Sequence, residues 1–171
     1  MEKKVPSFWI NAIVISLISI VYGLVLHFTN LETNKALGGI GLLIFIVAIV
    51  IVCIQYSKSL NGNVTFGNLF AYGFKTSAAI ALIMIVWTVL MFKVIFPNLE
   101  DEQLQKQTQA MIQKGMQQDQ IDKGMEVAHK YFMVFAIGGS ILFYAFFGAV
   151  SSVIGAAIAK KNPKANNPFG Q

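Results

Sequence analysis

The chain contains no arginine, so its entire positive charge is lysine, and it has few charges of either sign. Charged residues make up 12% of the 171 residues and hydrophobic ones 56%. A water-soluble domain carries about 25% charged residues. The shortage excludes an ordinary polar exterior, and the excess apolar surface must face something other than water. A net charge of +5 can signal nucleic-acid binding. Here the lysines form no single patch, and no nucleic-acid partner is expected. The one cysteine, Cys53, lies inside an apolar run and cannot make an intramolecular disulfide. There is no glycine-rich phosphate loop, no His-Glu-x-x-His and no serine-centred nucleophile elbow. Catalytic residues and cofactors are therefore not expected, and the chain reads as a non-enzyme.

Four uncharged runs remain: Phe8–Phe28, Ala36–Tyr56, Thr76–Phe92 and Tyr131–Ala159. A helix of about 20 residues crosses a bilayer core of about 30 Å. The first two runs fit directly. The first ends without a small-x-small cleavage site, so it reads as an uncleaved span rather than a secretory signal. The third is bracketed by Lys75 and Lys93, about 27 Å apart along a helix, and each lysine can reach its own interface. The helix carrying it is expected to start at Thr65, a plausible N-cap after the Asn61-Gly62 turn signal. It then lies partly in the interface through Phe66, Phe70 and Tyr72 before entering the bilayer. The fourth run exceeds the core and must tilt or project, and Gly138-Gly139 weakens it near its start. No span contains an acidic residue, which argues against a proton- or cation-coupled carrier.

The segment 97–130 is the only sizeable polar one. Pro97 and the acids Glu100, Asp101 and Glu102 suit a helix start. The expectation is a hairpin of helices 99–114 and 118–130 joined near Gly115. Leu104, Met111, Ile112, Met116, Ile121 and Met125 form an apolar stripe that would rest on the membrane or cap the bundle. The fold class expected is thus all-α: an integral membrane four-helix bundle with a polar helical hairpin between spans three and four. One membrane domain covers residues 1–171. Its spans are about 8–28, 36–56, 75–96 and 131–159, with an extramembrane loop 97–130 and a disordered tail 160–171. Lysines Lys3, Lys4, Lys58, Lys160, Lys161 and Lys164 share one side, which the positive-inside rule makes cytoplasmic. Both termini are then cytoplasmic and the loop is outside.

Small residues recur at helical spacing in span four (Ala145, Gly148, Ala149, Ser152, Gly155, Ala156, Ala159) and in span one (Ala12, Ser16, Ser19, Gly23). Such stripes let helix backbones approach closely in lipid. They serve packing within the chain or contact with a second copy or another membrane protein. Asp122, Glu126 and His129 share a helix face, and His27 would lie on the same outer side. Glu126-x-x-His129 is half of a di-metal carboxylate pattern, but no second half exists, so a solvated face is the expectation and no metal site is assigned. Asn63-Val64-Thr65 matches a glycosylation acceptor but falls on the cytoplasmic side and reads as a turn and cap. Lys75, with Lys58, reads as a snorkelling lysine or as a contact for an anionic headgroup or a partner; membrane lipid is an expected partner. Trp9, Tyr22, Tyr56, Tyr72 and Tyr131 read as an aromatic belt.

The block Val64-Thr65-Phe66-Gly67-Asn68, continuing through Phe70, Gly73 and Phe74, resembles a recurrent block of a bacterial membrane family filed as domain of unknown function 4199. So does Gly115-Met116-x-x-x-Gln120-Ile121 before the last span. The resemblance covers nearly the whole chain. It implies a protein of the bacterial cytoplasmic membrane with unassigned activity and supplies no catalytic residues. Two functional readings stand: an accessory, assembly or interaction subunit working through helix packing and its outer loop, or a small transporter or channel component.

Overall fold

The computed structural model describes residues 7–32 and 34–162. The expected tail and the N-terminal lysines Lys3 and Lys4 fall wholly or largely outside these residues. Among the described residues the chain is all-α. Its helices are α1 (Phe8–Phe28), α2 (Lys35–Ser59), α3 (Phe66–Leu90), α4 (Leu99–Gln113), α5 (Gln118–Lys130) and α6 (Phe132–Ile158). A π-helical turn, Met91–Ile95, extends α3. α1, α2, α3 with its extension, and α6 are each long and apolar enough to cross a membrane. The protein is therefore membrane-embedded, with the polar hairpin α4–α5 between its third and fourth apolar helices.

Local chemistry explains the boundaries. The Asn34 side chain accepts from the N–H groups of Ala36 (3.0 Å) and Leu37 (3.4 Å) and caps α2. Asn61 and Gly62 take left-handed backbone conformations (φ +52° and +76°), which close the turn after α2. Thr65 Oγ1 accepts from Asn68 N–H at 3.2 Å and caps α3, as its sequence context suggests. Gly115, at φ +72°, turns the hairpin. The Gly138-Gly139 pair does not interrupt α6, which is continuous through it.

The chain divides into two compact units. The first holds α1, α2, α3 up to Ile83 and α6 from Phe143. There the helices pack as a bundle, and Ala12, Ile49, Cys53, Leu69, Thr76, Ile80, Ser151, Ser152 and Ala156 are inaccessible to solvent. The first turns of α3 belong to this interior. Leu69, Tyr72 and Gly73 are buried, whereas Phe66 stays exposed, so one face of this end of the helix packs into the bundle. Tyr72 stacks on Tyr56 (centroids 4.0 Å apart) and accepts a hydrogen bond from Asn11 at 3.1 Å. It is a packed residue and not part of a lipid-facing belt.

The second unit runs from Met84 to Leu142. Phe92 meets Phe132 edge-on at 4.9 Å, and Lys93 Nζ pairs with Glu100 at 3.1 Å across the Pro97 turn. The hairpin has its own small core. Leu99, Leu104 and Ile121 are buried, and the Met111 Cε methyl lies over Gly124, 3.2 Å from where a Cβ would stand. Most of the apolar stripe is thus consumed in joining α4 to α5. Ile112 and Met116 remain exposed.

Candidate functional site: the small-residue seam

In the first unit, the sequence features with the most consequence converge where α2, α3 and α6 meet. A Cβ added to Gly73 on α3 would stand 2.7 Å from both Cys53 Sγ on α2 and Ser152 Oγ on α6. One added to Gly148 on α6 would stand 2.5 Å from Ser77 Cβ on α3. One added to Gly155 would stand 2.8 Å from Cys53 Cβ and 3.2 Å from Val50 Cα. Each glycine therefore receives a small side chain from a neighbouring helix. Lipid tails are as apolar as leucine, so helices in a bilayer are held by close contact and not by expulsion of water. These glycines set the distance at which that contact forms.

The seam is polar in composition but chemically quiet. Thr76 Oγ1 donates to the Tyr72 carbonyl (2.9 Å) and Ser77 Oγ to that of Gly73 (3.1 Å). Ser151 and Ser152 each donate to the carbonyl four residues earlier at 2.6 Å, and Cys53 Sγ donates to the Leu69 carbonyl at 3.6 Å. A hydroxyl in an apolar interior needs a partner, and the preceding turn of its own helix supplies one. Among the described residues, no histidine or carboxylate sits among these groups.

At the end of the seam, the chain leaving α6 is tied to the α2–α3 turn. Ser57 Oγ donates to the Lys160 carbonyl, and Asn162 N–H donates to the Gly62 carbonyl at 2.7 Å. Lys161 Nζ donates to the carbonyls of Ala156 (2.6 Å) and Ala157 (3.0 Å), capping α6. Val64, Leu69, Ala156 and Ala159 pack beneath this tie. Asn63-Val64-Thr65 thus serves as a turn, a buried anchor and a cap.

Of the small residues singled out in span four, Gly148, Ser152, Gly155, Ala156 and Ala159 are buried, and Ala145 is exposed. In span one, Ala12 and Ser16 are buried, whereas a Cβ added to Gly23 would meet nothing within 4 Å. The α1–α2 contact at that level is made instead by Tyr22. Its ring lies 3.2 Å from a Cβ at Gly41, and its hydroxyl donates to the Leu37 carbonyl at 2.7 Å. Sequence reasoning missed Gly73, Ser77 and Cys53. Gly73 and Ser77 stand at i and i+4, a small-residue pair that the same spacing argument would have detected.

The polar residues weighed for metal binding sit elsewhere. Asp122 accepts from Gln118 Nε2 at 2.9 Å along α5. Glu126 and His129 are exposed on the same helix. His129 borders an open hollow of about 480 Å³ with Asp101, Leu104, Thr108 and Met125. In the first unit, His27 Nδ1 and Glu32 Oε1 are 2.9 Å apart. Among the described residues, no group of three or more His, Cys, Asp or Glu side chains is arranged to hold a metal ion. Lys58 and Lys75 are both exposed.

The match to a family model runs over residues 9–161, nearly the whole chain. The chain belongs to the family described as protein of unknown function (DUF4199). No curated protein and no solved structure matches it. For this DUF4199 chain, the four-helix plan rests on the structure, and the chemistry is argued from the molecule.

Proposed function

We propose that this chain is a non-enzymatic, multi-pass accessory or assembly subunit of a bacterial cytoplasmic membrane. In this reading both termini are cytoplasmic and the α4–α5 hairpin is on the outer side, where it meets a partner. The observation that carries it is the division of the hairpin's apolar residues. Leu104 and Ile121 close the hairpin, while Ile112 and Met116, 56% and 36% exposed, stay open around its turn. A stable polar hairpin with an open apolar tip is suited to docking. The orientation rests on lysine placement. The non-enzymatic reading rests on the seam, whose hydroxyls and thiol are held by backbone carbonyls of the bundle.

One observation favours the alternative, a small transporter or channel component. Ser16 Oγ is buried with no hydrogen-bond partner among the described residues, and a permeating polar species would satisfy it. The other buried hydroxyls point the other way, since each is already bonded.

The test is a membrane-impermeant, photoactivatable thiol reagent applied to intact cells, with Gln109→Cys or Ser59→Cys in a Cys53→Ser background. Gln109→Cys should be labelled and, on irradiation, give a discrete membrane-protein adduct, while Ser59→Cys stays unlabelled. Labelling at Ser59→Cys alone would reverse the orientation. Labelling at Gln109→Cys that yields only lipid adducts would remove the docking role.

A further inference from the structure

Lys75 occupies a position that the packing of its own helix makes informative. Its neighbours Gly73 and Ser77 face Ser152 and Gly148 respectively. Lys75 is thus level with the turn of α6 between them, about 12 Å from the end of that helix at Ile158. Counted from the start of α3 at Phe66, the depth is about 13 Å. α3 and its π turn together hold 30 residues, about 45 Å of helix. That is the thickness of a bilayer with its headgroups, about 40–45 Å. A lysine stem reaches about 6 Å. Extended toward the start of α3, it places the ammonium about 7 Å below the helix end, at the depth of the phosphate and glycerol layer.

Among the described residues of the first unit, nothing answers this charge. Lys75 is exposed, and among the described residues no ion pair or hydrogen bond engages its ammonium. The only acid described in that unit is Glu32, beyond the far ends of α1 and α2. An ammonium near hydrocarbon is costly unless paired.

The surface around Lys75 is shaped for an amphiphile. Asn68 lies two turns nearer the helix start on the same face, and its side chain is exposed. Its peptide N–H donates to Thr65 Oγ1, and its side-chain amide is a separate donor. The first turn of α3 adds its positive dipole end. Gly67, Ala71 and Ala78 keep the helix surface low beside Lys75. Phe70 and Phe74, stacked at 5.8 Å, form a wall along one side, and Phe74 is partly exposed.

We propose that Lys75 and Asn68 form a binding site for the phosphate of an anionic phospholipid in the leaflet at the lysine-rich end of the bundle, with one acyl chain lying along Ala78 beside Phe74. Lys58, at the end of α2, serves as the control for unspecific surface charge.

The test uses the full chain purified from vesicles of equal phosphatidylglycerol and phosphatidylcholine. Native mass spectrometry counts retained lipids, and thermal unfolding is followed with phosphatidylglycerol, phosphatidylcholine or inorganic phosphate added at matched concentration. The parent should retain phosphatidylglycerol preferentially and be stabilised by it alone. Lys75→Met should lose about tenfold of that preference, the effect of removing one charge-assisted hydrogen bond. Lys75→Arg and Lys58→Met should keep it. Asn68→Leu should weaken it several-fold and provides the readout if Lys75→Met does not fold. The proposal is overturned by an unchanged preference in Lys75→Met, or in Asn68→Leu where that variant replaces it. Equal loss in Lys58→Met, or equal stabilisation by inorganic phosphate, also overturns it. So does crosslinking of Lys75 to an acidic segment of another membrane protein in place of lipid.

Discussion

Two glycines, Gly148 in the seam of the first unit and Gly124 in the hairpin of the second, each sit against a neighbouring helix, but the neighbours differ. A Cβ at Gly148 would meet Ser77 Cβ at 2.5 Å, with the Ser77 backbone just behind it. A Cβ at Gly124 would meet the terminal methyl of Met111 at 3.2 Å. The first neighbour cannot move without moving a helix, and the second can swing aside on three rotatable bonds. The contrast reflects the two solvents. In lipid, helices are joined by backbone proximity, so the smallest residues hold the joint. In water, helices are joined by covering apolar side chains, so the larger Leu104, Met111 and Ile121 hold it.

The largest effect should come from enlarging the seam. Gly148→Leu should prevent a stable fold, and Gly148→Ala should cost about 1–3 kcal/mol through overpacking. Gly138→Ala, with nothing within 4 Å of the new methyl, should be neutral or slightly stabilising. Thermal aggregation of the detergent-solubilised protein ranks the three. Equal behaviour of Gly148→Ala and Gly138→Ala would mean that span four is not held by close approach.

An effect short of the loss of fold in Gly148→Leu, and more local, is expected in the hairpin. Leu104→Ala should cost about 2–5 kcal/mol, seen as lost amide protection across 99–113 in a lipid disc. Protection in the first unit should be unchanged. Ile112→Ser, at an exposed position, should fall within about 0.5 kcal/mol of the parent. If Ile112→Ser also unprotects the hairpin, its open tip is already docked on a surface, and the comparison between the units has to include that surface.

The smallest effect should be at Gly124. The gain in helix propensity from Gly124→Ala, about 0.5–1 kcal/mol, is set against displacement of the Met111 methyl. The net change should lie within about 0.5 kcal/mol. A cost as large as that of Gly148→Ala would show that the hairpin is as tightly joined as the seam.

Much of this architecture was readable in the sequence. Uncharged length defines a span because backbone in lipid must satisfy its own hydrogen bonds, which a helix does within the segment. The run from Phe8 to Phe28 is therefore long enough to read as a span. The helix start at Phe66 followed from Thr65, since a cap is made by residues three apart and needs no distant partner. The break near Gly115 was equally local. Spacing also identified Gly148 and Ser152 as lying on one face of α6.

Which helix meets that face was a tertiary matter. Periodicity places Gly148 and Ser152 together, but it does not say that Ser77 and Gly73 receive them, or that Gly23, Gly138 and Gly139 are left open. It assigned Tyr72 to the lipid interface, and packing against Tyr56 and Asn11 took it inside. The apolar stripe of the hairpin was visible as a stripe; its division between a closed core and an open tip was not. The sequence alone determines what each segment can satisfy within itself: its backbone hydrogen bonds, its caps and its match to bilayer thickness. The tertiary structure decides what requires a second surface, because close packing depends on the shape of the neighbour and not only on the periodicity of the helix that meets it.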